Sequence, residues 1–162
     1  MHTRFILIVI SLLILAACSD KDNKTPNAEG KGQNVLSLPK NEQEKYNKQA
    51  NSILADFSKV LDQYSVAMVN AKTSKEAADL LQKSYDSFIT FAPRMKMMDS
   101  LYPNISSMDS TNAEVQSHLQ AYKDAIFRYN EAVNDLHILF GKDPEYQKLV
   151  KEMEERNKKP LN

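Results

Sequence analysis

Three groups of side chains in this 162-residue sequence have types and spacings that invite a chemical reading. Met95, Met97 and Met98 form a Met-x-Met-Met string whose soft thioethers suit Cu(I). On a helix Met95 and Met98 share one face while Met97 points elsewhere, and Arg94 and Lys96 set positive charge beside any cation, so the string reads as adaptable core packing. His118 and His137 stand nineteen residues apart, about 28 Å along a helix axis, and do not share one metal within a chain. Glu114 and His118, at i and i+4, would supply two ligands of a mononuclear site that lacks an evident third. Neither the Glu-x-x-His pair of di-iron bundles nor the Cys-x-x-Cys-His of covalent haem occurs, which leaves only noncovalent haem on His118 or His137 with a Met. Serine and histidine are present without a Gly-x-Ser-x-Gly elbow, and Glu154-Glu155 reads as a solvated helix face. No catalytic residues, no metal and no cofactor are expected, and the chain does not read as an enzyme.

Tyrosine carries the remaining signal. Tyr46, Tyr64, Tyr85, Tyr122 and Tyr129 all fall on apolar helix faces, where the ring suits a core and the hydroxyl needs a partner or water. A core-and-seam role is one expectation. The functional one is a groove for a partner or ligand lined by Tyr85, Phe88, Phe91, Tyr122 and Tyr129, opening where Pro93 splays its helix.

The elements that would position these residues are helices. From Asn41 to Ala71 apolar side chains recur at Tyr46, Ala50, Ile53, Phe57, Val60, Tyr64, Ala67 and Ala71, alternately four and three apart, with Leu54, Leu61 and Met68 widening the stripe. Such a helix is about 45 Å long, and Asn41 with Glu44 has the spacing of its capping box. Thr73-Ser74-Lys75-Glu76 has the same spacing and starts a second helix after a turn of a few residues, which demands an antiparallel hairpin. Its face runs through Ala77, Leu80, Leu81, Tyr85, Phe88, Phe91, Ala92, Met95, Met98 and Leu101. Pro93 removes the hydrogen bond to the Ile89 carbonyl, so a kink or break is expected over 89–94. After Thr111-Asn112-Ala113-Glu114, a third helix places Val115, Leu119, Tyr122, Ile126, Tyr129, Val133, Leu136 and Phe140 on one stripe, with Gly141 as its C-terminal cap. Asp143-Pro144 then opens a short fourth helix bearing Tyr146, Leu149, Val150 and Met153 on one side. The fold class expected is all-α: an antiparallel three-helix bundle of long heptad-patterned helices plus a short C-terminal fourth helix. The same heptads would serve a coiled coil between chains, but the short first turn favours the intramolecular bundle, and the oligomeric state stays open.

Composition narrows the partners. Lys+Arg and Asp+Glu number 21 each, so formal charge is zero and gives no electrostatic case for nucleic acid or an anionic membrane surface. Three glycines, Gly30, Gly32 and Gly141, fit no phosphate-cradling pattern, and one cysteine excludes an internal disulfide and Cys-rich metal sites.

That cysteine stands in a distinctive place. Arg4 precedes an apolar run, Phe5 to Leu15, broken only by Ser11 and well short of the roughly 20 residues that span a bilayer. With the Leu15-Ala16-Ala17-Cys18 that follows, the segment resembles the lipobox signal of bacterial lipoproteins. The resemblance implies cleavage between Ala17 and Cys18, diacylglyceryl on the Cys18 sulfur, and anchoring by two or three acyl chains such as palmitate. It further implies that Ser19 permits onward transport to the outer membrane, facing periplasm or cell surface. Residues 1–17 are then a signal peptide, 18–40 a lipidated Cys and flexible tether holding Gly30, Gly32 and the Val35-Leu36-Ser37-Leu38 patch, 41–158 the helical domain and 159–162 a tail. As a flexible coil the tether spans about 25 Å. The expected function is a lipid-anchored envelope module that binds or scaffolds a protein partner. The alternative is a periplasmic carrier of a small apolar ligand, haem or copper.

Overall fold

The computed structural model describes residues 38–102 and 113–157, and within them the chain is all-helical with no strand. The described helices are α1 (Lys40–Val69), α2 (Ser74–Leu101), α3 (Ala113–Phe140) and α4 (Pro144–Asn157). Residues 1–37, including Ala17 and Cys18, lie outside them, as do Thr111 and Asn112 of the capping box expected before α3.

Local chemistry accounts for most helix ends. α1 starts on the Pro39 carbonyl, which accepts from the amides of Glu42 (2.9 Å) and Gln43 (3.0 Å), while the Gln43 side chain donates to the Leu38 carbonyl. Asn41 therefore sits inside the first turn and is not the cap that its spacing to Glu44 suggests. At α2 the Thr73 hydroxyl accepts from the Glu76 amide at 3.2 Å, and the Glu76 carboxylate reaches back to the Lys72 amide at 2.9 Å. Asp143 caps α4 by accepting from the Glu145 amide at 2.8 Å, with Pro144 at the first helical position, where its missing N–H costs nothing. Where α3 ends, the Gly141 amide donates to the His137 carbonyl, and a Cβ on Gly141 would lie 2.2 Å from that oxygen. Only glycine fits there.

Pro93 does not break α2, which is continuous from Ser74 to Leu101. The proline is exposed, on the side where water can take the place of its missing N–H at the Ile89 carbonyl, and buried Phe88 and Met98 hold the turns before and after it.

Backbone contacts divide the chain into two compact units. Unit 1 contains the described residues up to Ala55 together with those of Phe91–Gln120. Its core is Ala50, Ile53, Leu54, Met98, Tyr102, Val115 and Leu119. The Tyr102 hydroxyl donates to the Asn47 side-chain oxygen, and Gln49 donates to the Met97 sulfur at 3.5 Å. Asn51, only 6% exposed, has no hydrogen-bond partner for either amide atom.

Unit 2 contains Asp56–Thr90 and the described residues from Ala121 onward. An aromatic cluster fills its centre: Phe88 meets Phe57 (5.3 Å between centroids), Tyr129 (5.1 Å) and Tyr64 (6.3 Å) edge-on, and Phe57 also meets Tyr122 at 5.5 Å. Edge-to-face pairs of this kind are worth about 0.5–1.5 kcal/mol each beyond the area they bury. α4 docks through Tyr146, which is 2% exposed and lies against His137 and Phe140. Ser74, at the start of α2, donates to the Asp143 carboxylate and ties the two helix starts together.

Candidate functional site

The residues singled out for a groove are Tyr85, Phe88, Phe91, Tyr122 and Tyr129. Phe88 and Tyr129 come together in the core of unit 2, Tyr122 reaches the same cluster through Phe57, and Tyr85 is half-buried on α2. Phe91 belongs to unit 1, where the Arg94 guanidinium lies over its ring at 5.2 Å.

Hydrogen bonds hold the tyrosines of unit 2 in place. Ser84 is fully buried and donates to the Leu81 carbonyl at 2.8 Å, so the hydrogen in the 2.8 Å contact with Tyr129 comes from the tyrosine. Burial pushes the Tyr129 phenol up to about 12. Tyr64 donates to the Lys83 carbonyl at 3.0 Å and accepts from Ser87 at 2.7 Å. The small serine at position 84 leaves room for the Tyr129 ring.

His118 is in unit 1 and His137 in unit 2, Met98 is 1% exposed in its core, and among the described residues no three His, Cys, Asp or Glu lie close enough to hold an ion. His137 Nδ1 shares a 2.9 Å hydrogen bond with the Tyr146 hydroxyl, and burial lowers the His137 pKa while raising that of Tyr146. Both are held neutral, which suits a helix-docking contact.

A surface missed by the sequence reading lies on unit 2. Val66, Val69, Phe127, Ile138 and Leu139 are each 63–69% exposed. Val66 and Val69, with Ser65 and Asn70, form the α1 wall of a shallow groove of about 460 Å³ whose α3 wall is Arg128, Glu131, Ala132, Asn134 and Asp135. Arg128 grips Asp62 through two parallel hydrogen bonds, Nε to Oδ1 at 2.9 Å and a terminal nitrogen to Oδ2 at 3.1 Å. Half-exposed, this bridge contributes less than about 1 kcal/mol, but it joins α1 to α3 at one end of the groove. On α3 the row Phe127, Glu131, Asn134, Ile138 and its neighbour Arg128, Ala132, Asp135, Leu139 follow helical spacing, so the two acids stand between apolar side chains. The available signal was apolar type off the four-three stripes, since Val66, Val69, Phe127, Ile138 and Leu139 belong to none of them.

No described helix is long and apolar enough to cross a membrane. Compared with protein families, curated proteins and solved structures, the chain finds no match.

Proposed function

We propose that this chain is a lipid-anchored helical lipoprotein of the cell envelope that binds or scaffolds another protein and catalyses no reaction. The anchor rests on Leu15-Ala16-Ala17-Cys18 after Arg4 and an eleven-residue run, Phe5 to Leu15, too short to span a bilayer. Lipid on Cys18 tethers the helices through residues 19–40, and Ser19 directs the protein to the outer membrane. The observation that carries the binding role is that unit 2 leaves five large apolar side chains, Val66, Val69, Phe127, Ile138 and Leu139, exposed, two of them lining one groove, since apolar surface of this kind marks interaction sites.

The helices form an antiparallel three-helix bundle with α4 docked at its end. Support comes from the contacts of each unit. In unit 2, earlier α1 residues meet later α2 residues (Phe57 with Phe88, Tyr64 with Lys83), as antiparallel neighbours do. Phe57 with Tyr122 and Asp62 with Arg128 advance together along α1 and α3, as parallel ones do. In unit 1, Asn47 with Tyr102 and Gln49 with Met97 repeat the antiparallel order.

The test is Cys18→Ala with fractionation and crosslinking in cells. The variant should leave the membrane fraction, and the lipidated protein should crosslink to a defined envelope protein. A variant that stays membrane-bound with its signal uncleaved would overturn the anchor, and absence of any protein crosslink over the whole surface would overturn the binding role.

A further inference from the structure

We infer that the groove between α1 and α3 on unit 2 receives an amphipathic helix with a basic polar face, supplied by a different protein. The inference rests on the binding role proposed above and names its site and the chemistry of the partner.

The groove is apolar along α1, where Val66 and Val69 stand one turn apart, and acidic along α3. Arg128 is already matched by Asp62, whereas Glu131 and Asp135 make no ion pair among the described residues. The side chains lining the groove, counted with Asp62, thus leave two negative charges unmatched. They are four residues apart on α3, about 6 Å along its axis, the distance between cations at i and i+4 of a second helix. α1 stops at the other end of the groove from the Arg128–Asp62 bridge. Its last turn carries no basic residue, and it is capped by uncharged donors: the Asn70 side chain to the Val66 carbonyl at 2.7 Å, and the Asn70 and Ala71 amides to the Ala67 and Met68 carbonyls. The negative end of the helix dipole therefore adds to the two carboxylates. Lys59 lies beyond Asp62 in the adjoining hollow and is not part of the groove lining.

These features choose among occupants. A second copy of this face, related by a two-fold axis, would bring together two surfaces that each carry the same two unmatched carboxylates, which opposes an isologous dimer. An acidic helix meets the same repulsion. An apolar stripe at i, i+3 or i+4 fits beside Val66 and Val69, and Lys or Arg flanking it complement the acids, with Ile138 and Leu139 beyond them as further apolar contacts.

The experiment uses the full chain in nanodiscs of neutral phosphatidylcholine and three fluorescent 18-residue peptides sharing one leucine stripe, with Lys, Gln or Glu on the polar face. Empty discs subtract binding to lipid. The Lys peptide should bind by anisotropy about tenfold or more tighter than the Glu peptide, and the preference should weaken as salt rises. Glu131→Gln with Asp135→Gln should bring the Lys peptide to the level of the Gln peptide, and Val66→Asp should weaken all three. Equal binding of the Lys and Glu peptides, indifference to the double glutamine variant, binding to empty discs alone, or dimerisation of the chain through Val66 would each overturn the inference. Partner crosslinks in cells that survive Glu131→Lys with Asp135→Lys would remove the groove from the binding role and leave that role standing; loss of every crosslink on the unmodified protein would remove the role itself.

Discussion

Asn47 and Asn51 stand one turn apart on α1, both buried in unit 1, yet replacing them with leucine should change stability in opposite directions. Asn47 accepts a hydrogen bond from the Tyr102 hydroxyl, and Tyr102 is itself 4% exposed with its phenol pushed by burial up to about 12. Removing the Asn47 amide strands that hydroxyl and should cost about 1–3 kcal/mol, the penalty for a buried group left unsatisfied. At Asn51 the penalty is already present, because its Nδ2 and Oδ1 are both buried without a partner. Leucine branches at the same carbon and removes both orphaned atoms, so Asn51→Leu should stabilise by about 1–3 kcal/mol. For a helical domain of this size that corresponds to a rise in Tm on the order of 5–10 °C. Urea unfolding followed by far-UV circular dichroism reads both variants, and an unchanged slope with a shifted midpoint marks a stability change without a change in the unfolded state. Asn51→Leu that destabilises by 1 kcal/mol or more would refute the reasoning, because it would mean the amide makes hydrogen bonds that leucine cannot replace.

Ser84→Ala should cost about 1–2 kcal/mol by leaving the buried Tyr129 hydroxyl unpaired, read as a lowered urea midpoint. Tyr146→Ala should cost about 3–5 kcal/mol and release α4, seen as loss of amide-exchange protection over 144–157 while protection in α1 persists. Acid should weaken the same contact. The folded His137 pKa lies below its ordinary 6.5, so the unfolded chain binds the proton first and stability falls as pH drops from about 6.5 toward the lower folded value. Urea midpoints measured from pH 8 to pH 5 should fall less steeply in His137→Gln than in the natural protein.

Much of the helical framework is written in short-range chemistry. Four-three spacing locates α1, α2 and α3, and two of the helix starts follow from side chains that reach three residues or fewer, Thr73 to Glu76 and Asp143 to Glu145. Asn41 misled because the Pro39 carbonyl, a backbone group with no signature in residue type, supplies the first hydrogen bonds of α1. Pro93 does not break α2 because its cost depends on which way the ring faces, and it faces outward.

Depth of burial is where residue type and position separate. From Asn41 to Ala71 the apolar pattern correctly marks Ala50, Ile53, Leu54, Phe57, Leu61, Met68 and Ala71 as buried, but it also marks Tyr46, Val60, Tyr64 and Ala67, all partly exposed, and passes over buried Asn47, Asn51 and Ser65. On α2 it is Ser84, beside Tyr85, that is fully buried. Polar residues at the centre of a seam disguise it from any reading by hydrophobic period, since a period reports residue type while burial is set by what packs opposite. The same reason hid the groove. Val66 and Val69 stay exposed because no described helix covers that face of α1, and Glu131 and Asp135 border them because α3 packs beside α1 in the register that Asp62 and Arg128 share. Sequence alone thus determined that this chain makes helices and where several of them begin and end, because those choices rest on neighbours within one turn. Which side chains became core and which became surface was decided only when helices distant in sequence met.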